Sequence, residues 1–265
     1  MKDYIIIQPT ENCGMCGYIW QTIRAIYHNP NKKYYIDFKN SIYKVGNENV
    51  WDLFFKQPHV NTRPSLDLVE KTVGIIFDQE SEFVAANIIP NTPEETQRRR
   101  NVFSEIIRNY IHLNEETQEK VDLFVKTHFY GKKVLGVHFR GTDHPLKNRM
   151  CNYMQVVKEK LVDYDKLFVC SDEQERFKMA EFAFWRKIVS WDSIRSKNKE
   201  LPLHSHSADP RYNRNNSPKY QHKIAEDVII ESYLLSKVDY LICCPGSNVN
   251  YLSRAINPNL EYVEL

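Results

Sequence analysis

Val134-Leu135-Gly136-Val137-His138-Phe139-Arg140-Gly141-Thr142-Asp143 begins as an apolar, β-rich run and ends in a polar turn. Side chains two apart share one face of a strand, so His138 and Arg140 are expected to project together, with Val137 and Phe139 in the opposite layer. Further strand-like segments follow at 166–171, 187–192, 240–244 and 261–263, separated by helical patterns at 152–162, 173–184, 219–237 and 249–256. Strands alternating with helices predict a Rossmann-like parallel sheet.

Upstream, residues 4–8, 34–38 and 74–77 read as strands and 17–27 as a helix, which is again an α/β pattern. Two helices come next. Thr92-Pro93-Glu94-Glu95 opens the first with a cap residue and a proline at its favoured position, and the second runs from Asn114 to about Phe129. The division that results is a Rossmann-like domain over 1–130, expected on the acceptor side of a cleft, and a second over 131–265. Residues 193–218 are polar, contain Pro202, Pro210 and Pro218, and follow neither period, so they are expected to form a long mobile loop.

A chain of 265 residues holds one large α/β domain or two modest ones. Its 36 Lys and Arg against 34 Asp and Glu give no basic field for wrapping a polyanion, so nucleic acid is not an expected partner. Ile5-Ile6-Ile7 is far too short for a signal-peptide core, and no apolar stretch is long enough for a membrane span. Six cysteines, with Cys243 and Cys244 adjacent and Cys13 and Cys16 in a lone C-x-x-C, read as reduced thiols of a cytoplasmic protein.

Ligands of open parallel sheets bind beyond the carboxyl ends of the strands. There the sequence places His138, Arg140 and Asp143, then Ser171, Asp172 and Glu173, then Gly246, Ser247 and Asn248. A guanidinium fits phosphate oxygens with two bonds and stabilises charge growing on a leaving diphosphate. The alternative is that Arg140 pairs with Asp143 in an ordinary turn. Pro245-Gly246-Ser247-Asn248 offers backbone N–H groups and a helix dipole to an anion, or serves only as a turn and cap.

Asp227 and Glu231 lie four apart on one helix face and need a partner, for which a guanine base or His138 are the candidates. Glu226 reads as a solvated acid, and Asp172 doubles as a possible N-cap. Asn12-Cys13-Gly14-Met15-Cys16-Gly17, between a strand and a helix, is a second place for phosphate or sugar, with Gly14 and Gly17 permitting close approach and positive φ. Its C-x-x-C lacks a thioredoxin-like setting, so neither redox exchange nor zinc is expected of it. His204 and His206 read as surface residues, and no metal site is expected.

Three segments in order resemble a family. Leu135 to Asp143 resembles the H-x-R-x-x-D motif of the GDP-fucose fucosyltransferases (α1,6-, nodulation and protein O-fucosyltransferases). Leu167-Phe168-Val169-Cys170-Ser171-Asp172-Glu173 is similar to their second motif, and Glu231 to Leu241, continuing to Ser247-Asn248-Val249, to their third. The resemblance implies a GT-B-like α/β fold of two Rossmann-like domains facing a cleft. It also implies GDP-fucose as donor, a glycan or protein hydroxyl as acceptor, inversion at the anomeric carbon, and no metal or other cofactor.

By the same resemblance, Arg140 binds the β-phosphate and acts catalytically, His138 and Glu231 hold the guanosine side, and Asp172 and Glu173 line the donor pocket. Ser247 and Asn248 hold the phosphates, with Asp143, Gly246, Gly14 and Gly17 nearby, and Glu11 is the candidate base. Two positions depart from the pattern: Gly141 stands where the α1,6 enzymes carry a second arginine, and Glu231 replaces an aspartate. Two other readings are a nucleotide-sugar or glycan binding module without catalysis, and a small-molecule enzyme with a reactive Cys13 or Cys16.

Overall fold

The computed structural model describes residues 3–9, 13–44, 46–75, 92–141, 150–197, 203 and 218–265. Their strands are β1 (Tyr4–Pro9), β2 (Lys33–Ile36), β3 (Val69–Ile75), β4 (Val134–Phe139), β5 (Lys166–Ser171), β6 (Ile188–Val189), β7 (Tyr240–Cys243) and β8 (Glu261–Glu264). Their helices are α1 (Met15–Tyr27), α2 (Pro93–Tyr110), α3 (Glu115–His128), α4 (Met150–Lys160), α5 (Gln174–Phe184), α6 (Pro218–Leu235) and α7 (Asn248–Ile256), with a 3-10 turn at Leu161–Asp163. The chain divides into two compact units, Met1–Gln118 and Glu119–Leu265.

The first unit holds a parallel three-stranded sheet in the order β2-β1-β3. A central parallel strand is buried on both faces, which is why Ile5, Ile6 and Ile7 are all apolar and fully buried. Tyr18 and Phe38 pack as tilted rings 5.5 Å apart, and Phe38 and Trp51 edge to face at 5.3 Å. The start of α2 follows from its sequence: Thr92 accepts the Glu95 N–H at 3.2 Å, and Pro93 fills the first position. The third strand begins at Val69, earlier than its sequence pattern indicates, while residues 76 and 77 of that expectation lie outside the described ones.

The second unit has a parallel five-stranded sheet, β6-β5-β4-β7-β8. Leu135, Val137, Phe139, Leu167, Val169 and Ile242 face one layer, where they cluster with Tyr153 and Val157 of α4 and Phe177 of α5. On the other face Phe168 meets Phe124 and Phe129 at 5.5 and 5.3 Å. Each such aromatic pair adds about 0.5–1.5 kcal/mol beyond the area it buries. The alternation expected of β4 is therefore present, with Val137 and Phe139 on the α4/α5 side.

Two expectations need correction. The strand read at 187–192 shrinks to Ile188–Val189, because Trp191 leaves the ladder to donate its indole N–H to Asp227 at 2.9 Å. The loop read as mobile from Ser193 is held in its described part. Ser196 N–H donates to Asp172 C=O at 2.7 Å, and Gln174 N–H to Ser196 C=O at 2.9 Å. Residues 198–202 and 204–217, with His204 and His206, lie outside the described residues.

Gly136 is the residue that lets β4 lie close to the end of the α6 segment. A Cβ there would sit 2.7 Å from Val238 Cγ2. Urea unfolding of Gly136→Ala is expected to show a loss of about 1–3 kcal/mol from overpacking. The same substitution made in a Val238→Ala background should cost clearly less, and equal costs in the two backgrounds would remove this contact as the cause.

Candidate donor-phosphate site

Strand order decides where the second unit can bind a ligand. From β4 the chain moves outward through β5 and β6, then returns to place β7 and β8 on the other side of β4. The order thus reverses between β4 and β7, and a crevice opens beyond their carboxyl ends. The register His138↔Cys243 puts the residues after β4 beside the turn after β7.

The first side chain at this crevice is His138, buried to 4% exposure. Its Nδ1 lies 2.6 Å from Asn250 Oδ1, on α7. Asn250 donates its amide Nδ2 to Cys244 C=O at 2.8 Å, so Oδ1 faces the ring as an acceptor. Nδ1 then donates to Asn250 as an N–H. Losing either partner would strand a buried polar group, at a cost of about 1–3 kcal/mol.

Arg140 follows β4 directly and bonds the residue after β5, whereas His138 bonds α7. Its Nη1 donates to Asp172 Oδ2 at 2.5 Å, while Gly141 N–H donates to Asp172 Oδ1 at 2.8 Å. One carboxylate, just after β5, therefore fixes both the guanidinium and the backbone that follows β4. Asp172 is thus a partner of Arg140, and Asp143, which the sequence offered for that part, lies outside the described residues. The N-cap of α5 is Glu173, so Asp172 does not have that role.

Gly141 is buried against Glu173, whose own Cβ would lie 2.5 Å from a Cβ at position 141. Glu173 is only 3% exposed and is held by Arg176 Nε at 2.7 Å. No side chain fits at 141 while Glu173 stays in place, which gives the departure from a second arginine a steric reason.

Beyond β7, Gly246 has φ +79, a conformation that favours glycine, and its N–H donates to the Tyr251 hydroxyl at 2.8 Å. Ser247 caps α7 by position but makes no side-chain cap bond. The first-turn N–H groups of α7 thus form a positive helix end without a side-chain cap. Burial pushes the Cys244 thiol up, and the Arg140 charge and backbone N–H act against that shift. Arg140 and the turn after β7 are therefore neighbours.

Exposure separates these groups by what they can do. Arg140 and Asp172 are partly open, Gly246 is exposed and Asn248 half-buried, whereas His138, Glu173, Glu231 and Ser247 are buried. The open groups present a cation, its counter-carboxylate and a helix N-terminus, which suits an anion with several oxygens.

The acidic face of α6 is not solvated. Glu226 is 7% exposed and accepts Lys120 Nζ at 2.6 Å, which corrects its reading as a surface acid. Asp227 accepts Trp191 Nε1 at 2.9 Å, Ile194 N–H at 2.8 Å and Lys223 Nζ at 2.5 Å. Glu231 accepts the Ser193 hydroxyl at 2.7 Å. Burial raises its carboxyl to about 8; the Ser193 bond and Arg195 oppose the shift, while Asp227 and Asp172 add to it. The sequence pattern did not reveal these partners, because Trp191 lies in a segment read as strand and Ser193, Ile194 and Arg195 in a stretch without helix or strand period.

In the first unit, β1 lies between β2 and β3, so its carboxyl end is a second reversal point. Gly14 is the N-cap of α1 with φ −65, and Gly17 is buried inside the helix, so neither uses a positive φ. The buried Tyr43 hydroxyl takes the Met15 N–H at 3.1 Å. Glu11 lies outside the described residues. Among the described residues no cluster of His, Cys, Asp or Glu is arranged to hold a metal, and no helix is long and apolar enough to cross a membrane.

The raised Glu231 carboxyl has a consequence for stability. Unfolded, it loses its proton near 4.5; folded, it keeps it to about 8. Between these values the native state binds more protons, so stability falls as pH rises and levels off above about 8. Chemical denaturation of Glu231→Gln from pH 5 to 8 is expected to show a shallower decline than the parent. Parallel pH curves would rule the carboxyl out as the source.

No protein family and no curated protein sequence matches the chain. Solved structures do. The fucosyltransferase NodZ from Bradyrhizobium aligns with TM-score 0.59 and 16% identity over 100% of this chain and 96% of that one. The values for NodZ α-1,6-fucosyltransferase co-crystallized with GDP are 0.59, 16%, 100% and 95%. FUT1 of Arabidopsis thaliana in complex with GDP gives 0.61 at 11% identity, over 99% of this chain and 70% of that one. At these identities the likeness establishes architecture. The chain shares the mixed α/β, parallel-sheet fold of these solved fucosyltransferases.

Proposed function

We propose that the chain is a glycosyltransferase that moves fucose from GDP-fucose to a hydroxyl of a glycan or protein, with inversion. The observation that carries this reading is the placement of Arg140 and the α7 N-terminus on the two sides of the β4/β7 reversal point. Structural neighbours that contain GDP or GDP-fucose support the choice of donor.

In this reading the acceptor hydroxyl attacks the anomeric carbon of fucose from the side opposite GDP. The new C–O bond forms as the bond to the β-phosphate oxygen breaks, and GDP leaves with the electron pair. Arg140 gains most at that moment, because its charge meets the negative charge developing on the leaving diphosphate. The α7 dipole adds to this from the other side. These two fixed positive groups supply the neutralisation for which other transferases use a divalent ion, so the reaction is proposed to need no metal.

Asp172 orients the guanidinium through Nη1 and holds it at the strand end. Asn248 is assigned to the phosphates and Asp143 to the pocket wall, while the buried His138 and Glu231 support the guanosine side, Glu173 the pocket wall and Ser247 the phosphate end from behind. Glu11 is assigned the acceptor proton. Residues 1–130 are assigned to the acceptor and 131–265 to the donor.

Calorimetric titration with GDP tests the donor site. The parent should bind, and Arg140→Ala should bind about ten- to a hundredfold more weakly, the loss expected for charge-assisted phosphate bonds. Arg140→Lys should recover little, because an ammonium cannot reproduce the fork that Asp172 orients. Absence of GDP binding in the parent, or unchanged binding in Arg140→Ala, would overturn the assignment. GDP release from GDP-fucose in the presence of a panel of glycan and protein acceptors should exceed the acceptor-free rate; equal rates would leave a binding protein in place of an enzyme.

A further inference from the structure

The donor reading leaves the C-x-x-C at the carboxyl end of β1 unused. Cys13 and Cys16 flank the start of α1 and carry no disulfide. Cys13 is half-buried, whereas Cys16 is only 3% exposed. Both thiols lie near the buried Tyr43 hydroxyl, and their charges would oppose its ionisation. They therefore gather around one point inside the first unit.

A second observation at the same place concerns Gln21. This side chain is 5% exposed, and its Nε2 contacts Cys13 Sγ at 3.5 Å. Its other amide atom, Oε1, is buried with no hydrogen-bond partner. Turning the amide over would only transfer the vacancy to Nε2. An unmatched buried acceptor costs about as much as a lost hydrogen bond, so it needs a reason. A short O–H group on the Cys13 sulfur is one that supplies the donor this oxygen lacks.

We infer that Cys13 is a peroxide-sensitive thiol whose sulfenic acid is received by Gln21 Oε1, with Cys16 as the resolving thiol. The Cys13 thiolate attacks one oxygen of a hydroperoxide; an S–O bond forms, the O–O bond breaks, and the other oxygen leaves with the electron pair as hydroxide or alkoxide. Sulfur loses two electrons and the peroxide gains them. The S–O–H group then donates to Oε1 while Nε2 keeps its contact with the sulfur. In the second step the Cys16 sulfur attacks Cys13, an S–S bond forms, and the S–O bond breaks to release water with the Cys16 proton.

This chemistry follows the usual course from thiolate to sulfenic acid to disulfide. Cys170, Cys243 and Cys244 are poor competitors, because each is buried and burial raises its thiol. The proposal concerns a modification site and does not depend on the donor assignment.

The test treats the full chain with hydrogen peroxide in the presence of dimedone and follows each cysteine peptide by mass spectrometry. The Cys13 adduct should exceed that of every other cysteine. Gln21→Leu should lower it about fivefold, the worth of one hydrogen bond, without lowering Tm, because it removes an unmatched buried group. Cys16→Ser should raise it by preventing the disulfide. A Cys13 adduct no larger than the others, or one unchanged in Gln21→Leu, would overturn the site. An adduct unchanged in Cys16→Ser would overturn the resolving role.

Discussion

Asp172 is the group on which the second unit's site depends. Its two oxygens hold Arg140 Nη1 and Gly141 N–H, and its carbonyl oxygen takes Ser196 N–H. One residue thereby ties the end of β4, the end of β5 and the segment after β6. A guanidinium on a long side chain would otherwise sample many rotamers, and holding it before a ligand arrives lowers the ordering cost that binding must overcome. The geometry also explains the glycine that follows Arg140. Asp172 draws position 141 against Glu173, and only a residue without a side chain fits.

The same segment after β6 solves a second problem. Asp227 and Glu231 lie buried on one face of α6, where two ionised carboxylates would repel strongly in a poor solvent for charge. Asp227 receives an indole N–H, a backbone N–H and an ammonium, while Glu231 receives a hydroxyl and keeps its proton to about pH 8. Burial raises both carboxyls, and the two acids meet it with different partners. Residues 191–196 connect them to Asp172, so helix, strand end and segment form a continuous hydrogen-bonded structure.

Burial also distinguishes supports from contacts within the candidate site. His138 is locked to Asn250, and Asn250 to Cys244 C=O, which joins the end of β4 to α7 inside the protein. Asn250 was not apparent from the sequence, because an asparagine in a helix's first turn ordinarily signals only a local cap. Its full burial and its bond to His138, 112 residues away, are properties of the packed unit.

The sequence by itself determined the alternation of strands and helices, the placement of β4 and β5, the Thr92 cap and the glycine-bearing turn before α7. Each depends on local periodicity, a cap or a backbone angle, and these act over a few residues. It also located Arg140 at a strand end, but left open whether Asp143 or a ligand would be its partner. Tertiary structure decided that Asp172 holds Arg140, that Glu226 is buried against Lys120, and that residues 191–196 are fixed. The reason is that these partners are 32, 106 and 33–38 residues apart in the chain, so only the parallel pairing of β4 with β5 and the packing of α3 and α6 bring them together.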